Sequence, residues 1–250
     1  MDFYASTDIG MKRSSNQDSY SLTQLSERVL LCAVFDGMGG HAGGEKASSL
    51  ACEVFCSSVT QALGSKVDEI LGTIDATKTQ IINVLTKAAE EANAQVYAVA
   101  QSDELLQGMG TTLAAALVNG EDLYVINIGD SRIYLINDTI TQLSHDHSYV
   151  QYLIDIGEIT KEEAKLNSNK SIITRAVGTS ESTQADIKRC DCEGAGILLC
   201  SDGLTNHVDD EELLSIIKSG KSAEECVKSL INRANENGGS DNITAIVVLP

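Results

Sequence analysis

The amino-acid sequence predicts an α+β fold in which helices pack against antiparallel sheets. Two observations lead to this fold class. Short runs rich in Val, Ile and Leu, which are typical of buried strands, occur in clusters along the chain. Between the clusters lie longer segments in which apolar residues recur every three or four positions, as they do in amphipathic helices. Clusters of strands separated by helix pairs indicate antiparallel sheets covered by helices, whereas a strict strand and helix alternation would indicate a parallel sheet.

The predicted strands are six apolar runs. They cover residues 29–35, 112–118, 123–128, 132–136, 197–200 and 243–249. The segments 119–122 and 137–138 follow two of these runs and contain Asn, Gly and Asp, which favour the tight turns of hairpins. We therefore expect the middle of the chain to form an antiparallel meander.

Two long amphipathic helices are predicted between the first two strands. The first carries apolar residues at helical spacing from Ala47 to Leu63, and the second carries them from Ile81 to Val99. A further helical stretch is predicted over residues 209–234. Its apolar face contains Leu213, Leu214, Ile217, Cys226, Leu230 and Ile231.

One domain is expected over residues 1–250. With 42% hydrophobic and 22% charged residues, the composition is close to that of an average soluble domain, and a chain of 250 residues can bury one sizeable core. The single proline is residue 250, and no Ser/Pro-rich linker marks a boundary. The seven cysteines are an odd number without the spacing of a zinc site, so we expect structural thiols.

The charge balance limits the classes of binding partner. Asp plus Glu total 36 against 18 for Lys plus Arg, which gives a formal net charge of -18. Such a surface repels nucleic acids and anionic membranes, so neither is an expected partner. No stretch approaches the roughly 20 apolar residues of a membrane span, and the first residues lack the pattern of a secretory signal. We therefore expect a cytoplasmic protein.

Aspartates stand at the ends of four predicted strands. Asp36, Asp130 and Asp202 follow apolar runs, and Asp241 precedes one. Each alone could be a turn residue, but antiparallel neighbours interleave their starts and ends, so all four could share one rim of a sheet. Two carboxylates about 4 Å apart repel each other by roughly 4 kcal/mol at an effective dielectric constant of about 20, so a cluster needs a cation. Oxygen ligands suit hard ions such as Mg²⁺ or Mn²⁺.

Eight short motifs extend over nearly the whole chain. They read TDIG followed by RSSNQD (residues 7–18), DGMGGH (36–41), GTT (110–112), GDSR (129–132), SHDHS (144–148), ITRAVG (173–178), SDGL (201–204) and SDNIT (240–244). Any one of them is a weak signal. In this order and spacing, the motifs resemble those of the type 2C metal-dependent Ser/Thr protein phosphatases, in the pattern of the bacterial members.

The resemblance implies a four-layer α-β-β-α sandwich with a binuclear metal centre at one end of the central β-sandwich. By motif matching, Asp36 resembles the carboxylate that bridges both ions, and the Gly37 carbonyl resembles a ligand of one of them. Asp202 and Asp241 resemble ligands of the other ion. Asp18 resembles a carboxylate that reaches the site through metal-bound water. The expected ions are Mn²⁺ or Mg²⁺.

The resemblance also implies a third, weaker ion, which Asp130 would hold together with Asp202. Arg13 resembles the phosphate-binding arginine, and the alternative is a solvated surface charge. Two metal ions roughly 3.5 to 4 Å apart lower the pKa of a bridging water and position the hydroxide for in-line attack on phosphorus, so that no phosphoenzyme is needed. The ions and Arg13 would reverse the negative charge of the protein locally.

One departure from the family pattern concerns the general acid. Eukaryotic members carry a histidine directly after Asp-Gly, whereas Met38 holds that place here and His41 follows three residues later. His41 could therefore donate a proton to the leaving group, or it could cap or pack the start of the following helix. Both alternatives stay open. His145 and His147 are expected to be structural.

The segment of about residues 148–172 corresponds to the family's flap beside the site, and its apolar spacing predicts a helix over residues 148–165. The expected function is metal-dependent hydrolysis of phosphoserine and phosphothreonine in proteins, by a monomer that opposes a cytoplasmic Ser/Thr kinase. A catalytically silent regulatory module is one alternative, and it would have lost a metal aspartate. A metal-dependent nuclease is another, and the missing basic groove opposes it.

Overall fold

The computed structural model describes residues 1–40 and 43–250. Its strands, numbered along the chain, form two antiparallel sheets. The first sheet has the order β1 (Asp2–Asp8), β11 (Ile243–Leu249), β10 (Gly196–Cys200), β7 (Arg132–Ile136) and β8 (Ile140–Gln142). The second has the order β2 (Asp18–Ser26), β3 (Val29–Met38), β5 (Leu113–Asn119), β6 (Asp122–Ile128) and β9 (Asp186–Asp191), with the short β4 (Gly110–Thr111) paired to β3.

Helices cover the outer faces of both sheets. Two long helices, α1 (Gly43–Gly64) and α2 (Lys78–Ser102), pack on the second sheet. Three others, α5 (Asp202–Thr205), α6 (Asp210–Ser219) and α7 (Ala223–Glu236), pack on the first. Two short helices, α3 (Tyr149–Asp155) and α4 (Lys161–Leu166), lie between β8 and β9 in the chain. The arrangement confirms the predicted α-β-β-α sandwich.

The apolar run of β3 is buried on both of its faces. Val29, Leu31, Ala33 and Phe35 pack against the long helices. The alternate residues Leu30, Cys32 and Val34 pack against the first sheet. Successive side chains of a strand point to opposite faces, so a strand covered on both sides has to be apolar at every position. This explains why the sequence shows continuous apolar runs at the central strands.

The sequence does not predict five of the strands: the two-residue β4, and β1, β2, β8 and β9. The last four are the outer edges of the two sheets. Most of their residues are partly or fully exposed, and many are polar. Because an edge strand is covered on fewer sides than a central one, it lacks the apolar run by which the others are recognised.

The predicted meander is wrong at one connection. The hairpins β5–β6 and β7–β8 form as expected. However, β6 and β7 belong to different sheets, so residues 129–131 carry the chain from one sheet to the other. A tight turn alone does not reveal whether the next strand stays in the same sheet.

Two predicted helical stretches are each divided in the structure. The stretch over residues 209–234 is α6 and α7, because α6 ends before Gly220 and the Ser222 hydroxyl caps α7 by accepting a hydrogen bond from the Glu225 N–H at 3.2 Å. The stretch over residues 148–165 is α3 and α4, with Gly157 between them at a φ of 75°. The apolar spacing continued through both breaks and hid them.

No helix within residues 1–40 and 43–250 is long and apolar enough to cross a membrane. The seven cysteines are free thiols, and five of them are buried in the apolar layers: Cys32, Cys56, Cys192, Cys200 and Cys226.

Candidate metal centre

A cleft of about 450 Å³ contains most of the predicted site residues. Four predicted metal aspartates line it, namely Asp36, Asp130, Asp202 and Asp241, together with Gly37 and Arg13. The fifth, Asp18, is paired with Asp36 across β2 and β3. The two sheets therefore bring all five aspartates to one place. His41 lies outside the described residues.

Asp36 is held by two threonines of the 110–112 motif. Its backbone N–H donates to Thr112 Oγ1 at 2.9 Å, and its carbonyl accepts from the Thr112 N–H and from Thr111 Oγ1, both at 2.9 Å. The apolar run of β3 predicted a strand end before Asp36, but β3 continues to Met38. Asp36 is consequently part of a hydrogen-bonded strand and has a fixed backbone.

Gly37 stands where the chain passes very close to the start of α1. A Cβ atom at this position would lie 2.1 Å from the Gly44 carbonyl oxygen and 2.6 Å from that of Gln17. The Gly37 N–H donates to the Gln17 carbonyl at 3.1 Å. Only glycine fits this approach, which places its backbone directly at the cleft.

Asp202 and Asp241 come from neighbouring strands of the first sheet. Asp202 is the first residue of α5, and its Oδ2 accepts from Asn206 Nδ2 at 2.9 Å. A Cβ at Gly203 would lie 1.9 Å from the Asn242 carbonyl oxygen, so α5 packs tightly on the segment that carries Asp241. Asp202 and Asp36 line the same cleft, and Asp36 acts to lower the pKa of Asp202.

Asp130 lies in the turn that carries the chain between the sheets. It is 8% exposed. Gly129 before it has a φ of 104°, and a Cβ there would lie 2.6 Å from Thr112 Cγ2. Thr112 Oγ1 and Ser131 Oγ are 2.7 Å apart, so the threonine that holds Asp36 also holds the turn of Asp130.

Asp18 is buried and only half satisfied. Its Oδ2 accepts hydrogen bonds from Ser201 Oγ at 2.7 Å and from Thr244 Oγ1 at 2.6 Å. Its Oδ1 is buried and has no hydrogen-bond partner among the described residues. A buried carboxylate oxygen without a partner costs free energy, so it is a reason to expect a ligand at this position.

Burial and mutual repulsion raise the pKa values of four aspartates: Asp18, Asp36, Asp130 and Asp202. Burial is the largest cause for Asp36 and Asp130, whose pKa values lie well above the usual range, and the neighbouring carboxylates add to it. The pKa of Asp18 is raised by burial to about 7, although its two hydroxyl donors act in the opposite direction. Burial and then the charge of Asp241 raise the pKa of Asp202. A bound cation would relieve these charges.

The donor set fits a hard divalent cation. All the side chains concerned are carboxylates, and the Gly37 backbone supplies a further oxygen. Within residues 1–40 and 43–250, no group of three or more His, Cys, Asp or Glu side chains is arranged so that it could hold a metal ion by itself. Mg²⁺ and similar ions are usually bound through one or two carboxylates and keep several waters, so an open arrangement of this kind suits them.

Arg13 lies at the mouth of the cleft. Its Nη2 donates to Asp241 Oδ2 at 2.7 Å, and half of its side chain is exposed. The hydrogen bond to Asp241 is the largest cause that raises the pKa of Arg13, and the charges of Asp36 and Asp202 also raise it. Arg13 thus combines a half-exposed side chain with an ion pair to one member of the acidic cluster.

The segment that carries α3 and α4 borders the cleft through Ser171 and Ile173. Its base is closed by a bridge between Ser148 and Ile173. His147, expected to be structural, accepts a hydrogen bond at Nδ1 from the Gly129 N–H at 3.0 Å, and its Nε2 lies 3.2 Å from Asp186 Oδ2. Burial lowers the pKa of His147. This neutral ring ties the base of the segment to the turn before Asp130.

Sequence reasoning missed several residues that hold the site together. Asn242 is the clearest: its Oδ1 accepts from the Gln17 N–H at 2.8 Å, and its Nδ2 donates to the carbonyls of Ile9 and Ser15 at 3.0 and 2.9 Å. It thus fixes the loop that carries Arg13. Thr112 has the corresponding role for Asp36. Both stand inside quoted motifs, and that position was the only available signal.

Three comparisons relate the chain to known proteins. The family model described as Protein phosphatase 2C matches residues 11–247. The serine/threonine phosphatase stp of Listeria welshimeri is 37% identical over 244 residues, which are 97% of this chain and 93% of that protein. The crystal structure of serine/threonine phosphatase Stp1 from Staphylococcus aureus has a TM-score of 0.88 at 32% identity and covers 99% of this chain and 94% of that one.

A second solved structure bears on the metal. It is the catalytic domain of the serine threonine protein phosphatase PstP, crystallised in complex with 2 manganese ions. Its TM-score is 0.81 at 34% identity, and the match covers 98% of this chain and 96% of that one. The similarity therefore extends over the whole chain in both sequence and fold.

Proposed function

The chain belongs to the protein phosphatase 2C family and is a metal-dependent serine/threonine protein phosphatase, and we propose that its acidic cleft is where phosphoserine and phosphothreonine are hydrolysed. The observation that carries the proposal is the convergence of five aspartates from both sheets. Burial raises the pKa values of two of them, Asp36 and Asp130, well above the usual range. No cation of the chain offsets most of this charge, since Arg13 is the one basic residue that lines the cleft in the described part of the chain.

In this proposal, Asp36 and the Gly37 carbonyl would hold one divalent cation, and Asp202 and Asp241 would hold a second. Asp18 would contribute its Oδ1, which has no hydrogen-bond partner among the described residues. When bound, such cations supply Lewis acidity toward water and toward the phosphoryl oxygens. Mn²⁺ is favoured by the two ions in the PstP structure, and Mg²⁺ is the other hard ion that the oxygen donors suit.

Asp130 is proposed to hold a third, weaker ion together with Asp202. Two features support this role. Asp130 is buried in the same cleft as Asp202, whose charge helps to raise the pKa of Asp130. Its backbone is also fixed by the Thr112 and Ser131 hydroxyl pair, whereas an ordinary turn aspartate would be exposed.

Arg13 is proposed to bind the phosphate of the substrate. A guanidinium can hold two phosphate oxygens at once, and Arg13 is both exposed enough to meet a substrate and adjacent to the aspartates. Ser171 and Ile173 border the same cleft and would contact the peptide on either side of the phosphorylated residue. The segment 148–172 is therefore proposed to be the flap that selects substrates.

The physiological setting forms a further part of the proposal. A phosphatase of this kind acts on proteins that a Ser/Thr kinase has modified, so the protein would oppose such a kinase. Seven free thiols are typical of a reducing compartment, which supports action in the cytoplasm. His41 is proposed to be dispensable as a general acid, because Met38 and not a histidine follows Asp36-Gly37.

The test of the proposal is hydrolysis of a phosphothreonine peptide by the full chain, with added Mn²⁺, with Mg²⁺ and with a chelator. Phosphate release should depend on the divalent cation. A duplex DNA substrate under the same conditions serves as the control for nuclease activity, and it should remain intact. A folded protein that binds the cation but releases no phosphate would favour the regulatory module.

A further inference from the structure

The hydroxyl groups around Asp18 have only one possible direction of hydrogen bonding when Asp18 is ionised, as it must be to hold a cation. An ionised carboxylate accepts hydrogen bonds and cannot donate them. The single protons of Ser201 Oγ and Thr244 Oγ1 must therefore both point at Asp18 Oδ2, at 2.7 and 2.6 Å. With its proton committed, Thr244 can only accept from Thr7, whose Oγ1 lies 2.7 Å away.

The chain of hydrogen bonds returns to Asp18 through Asn16. The Nδ2 of Asn16 donates to Thr7 Oγ1 at 2.9 Å, and its Oδ1 accepts from the Asp18 N–H at 3.1 Å. Asn16, Thr7, Thr244 and Asp18 thus form a closed ring, which we call the Asp18 ring. Ser201 joins it from the side, because its Oγ also accepts from the Thr244 N–H at 3.0 Å.

The Asp18 ring connects the two sheets. Asp18 is the first residue of β2 in the second sheet, whereas Thr7 and Thr244 are paired residues of β1 and β11 in the first. Thr244 and Ser201 are completely buried. Thr7 is not among the residues that line the cleft, so it would affect a ligand there through its ring partners Thr244 and Asn16, both of which contact Asp18.

We propose that Thr7 and Thr244 are positioning residues, which fix the rotamer of Asp18 so that Oδ2 is occupied and Oδ1 alone is offered to the cation site. This inference rests on the proposed function. Each hydroxyl in the ring is polarised by the donor before it, so the loss of one member weakens the rest. Removal of a residue that orients a metal ligand typically lowers the metal affinity ten- to a hundredfold.

The experiment measures Mn²⁺ affinity by titration calorimetry on the full chain. Thr7→Val keeps the shape of the side chain and removes the hydroxyl, and it should raise the dissociation constant about three- to tenfold. Thr244→Val removes a direct donor to Asp18 and should raise it roughly ten- to a hundredfold. Thr7→Ser restores the hydroxyl and should return the affinity most of the way to that of the unmodified chain.

Thr23→Val is the matched control. Thr23 Oγ1 lies 3.2 Å from Ser21 Oγ on β2, so this variant also loses a hydroxyl from a hydroxyl pair, but the pair does not contact the aspartates. Its Mn²⁺ affinity should equal that of the unmodified chain. If Thr7 had a merely structural role, Thr7→Val would lower the melting temperature of the protein in chelator and leave its Mn²⁺ dissociation constant unchanged.

The result that would overturn the inference is a Thr7→Val protein that folds and binds Mn²⁺ within twofold of the unmodified chain. An equal loss of affinity in Thr23→Val would overturn it as well. If Thr244→Val fails to fold, Thr7→Val decides the question alone. Failure of the proposed function looks different, because the unmodified chain would then release no phosphate from a phosphopeptide in the presence of Mn²⁺.

Discussion

Arg13 Nη2 and Asp241 Oδ2 are 2.7 Å apart, so the cation proposed to bind phosphate is paired with a carboxylate proposed to bind metal. The side chains are 52% and 30% exposed, which leaves the pair open to both solvent and ligands. Phosphate and a divalent cation would each compete for one partner of this pair. Binding of either should therefore favour binding of the other, because linkage between two sites is reciprocal.

The pair gives Arg13→Ala two effects of opposite sign. The variant should raise KM for a phosphothreonine peptide roughly ten- to a hundredfold, since it loses a charge-assisted contact of about 1.5 to 3 kcal/mol. It should also bind Mn²⁺ slightly more tightly, because Asp241 loses a competing cation. Steady-state kinetics and calorimetry measure the two effects.

Arg13→Lys keeps the positive charge but loses the planar guanidinium that can hold two phosphate oxygens at once. This variant should raise KM with a smaller change in Mn²⁺ affinity. An unchanged KM in both variants would contradict a role in phosphate binding.

Asp36→Asn and Asp202→Asn should each abolish turnover. Either change removes a formal charge and a ligand, so at least one cation site should weaken. The exposed Glu53→Gln is the matched control, since it makes the same change of carboxylate to amide on the surface of α1 and should keep full activity. Phosphate release from a phosphopeptide measures the effect, and a fully active Asp36→Asn protein would remove Asp36 from the site.

Asp130→Ala should separate turnover from the binding of the first two ions. The variant should bind two Mn²⁺ ions by calorimetry while phosphopeptide hydrolysis falls roughly ten- to a hundredfold, the size of loss typical when a residue that supports a metal site is removed. The reason is that Asp130 lies beside Asp202 but is not assigned to the first two ions. Unchanged turnover would restrict Asp130 to a structural role in the turn between β6 and β7.

The clustered aspartates should make the metal-free protein less stable as the pH rises. The pKa of Asp18 is about 7 in the folded protein, and those of Asp36 and Asp130 lie well above the unfolded value of 3.8. The folded state therefore binds more protons than the unfolded state above pH 3.8, and this stabilisation is complete below that pH and lost as the pH rises through the folded values. Thermal melts in chelator should show a lower melting temperature at pH 8 than at pH 5.

The same melts with saturating Mn²⁺ are the control. The cation replaces protons at the carboxylates, so the stabilisation by Mn²⁺ should grow with pH. A melting temperature in chelator that rises steadily from pH 5 to pH 8 would contradict the assignment of a mutually repelling cluster.

The central strands and the four cleft aspartates could be predicted from the sequence because central strands have a distinct apolar pattern. A strand covered on both faces is apolar throughout, so the polar residue at its end stands out, as Asp130, Asp202 and Asp241 do. Asp18 has no such signal, because β2 is a polar edge strand, and only the family resemblance indicated it. Asp36 lies in the cleft with the other aspartates, but it is part of β3 and does not follow the end of that strand, as its sequence pattern had suggested.

The supporting contacts could not be predicted from one sequence. Asn242 touches residues more than two hundred positions away, and the same is true of the bond between Thr7 and Thr244. Such contacts depend on which strands become neighbours, and the crossing between β6 and β7 shows that turn chemistry does not determine this. The division of the predicted helical stretches at Gly157 and Gly220 was likewise hidden by continuous apolar spacing.

The most direct test of the central claim is phosphate release from a phosphothreonine peptide as Mn²⁺ is titrated into metal-free protein. The claim is that clustered aspartates create the active site by holding divalent cations. It predicts no release in excess chelator, saturable recovery with Mn²⁺, and no recovery at the same concentrations in Asp36→Asn. Full turnover in excess chelator, or equal recovery in Asp36→Asn, would contradict it.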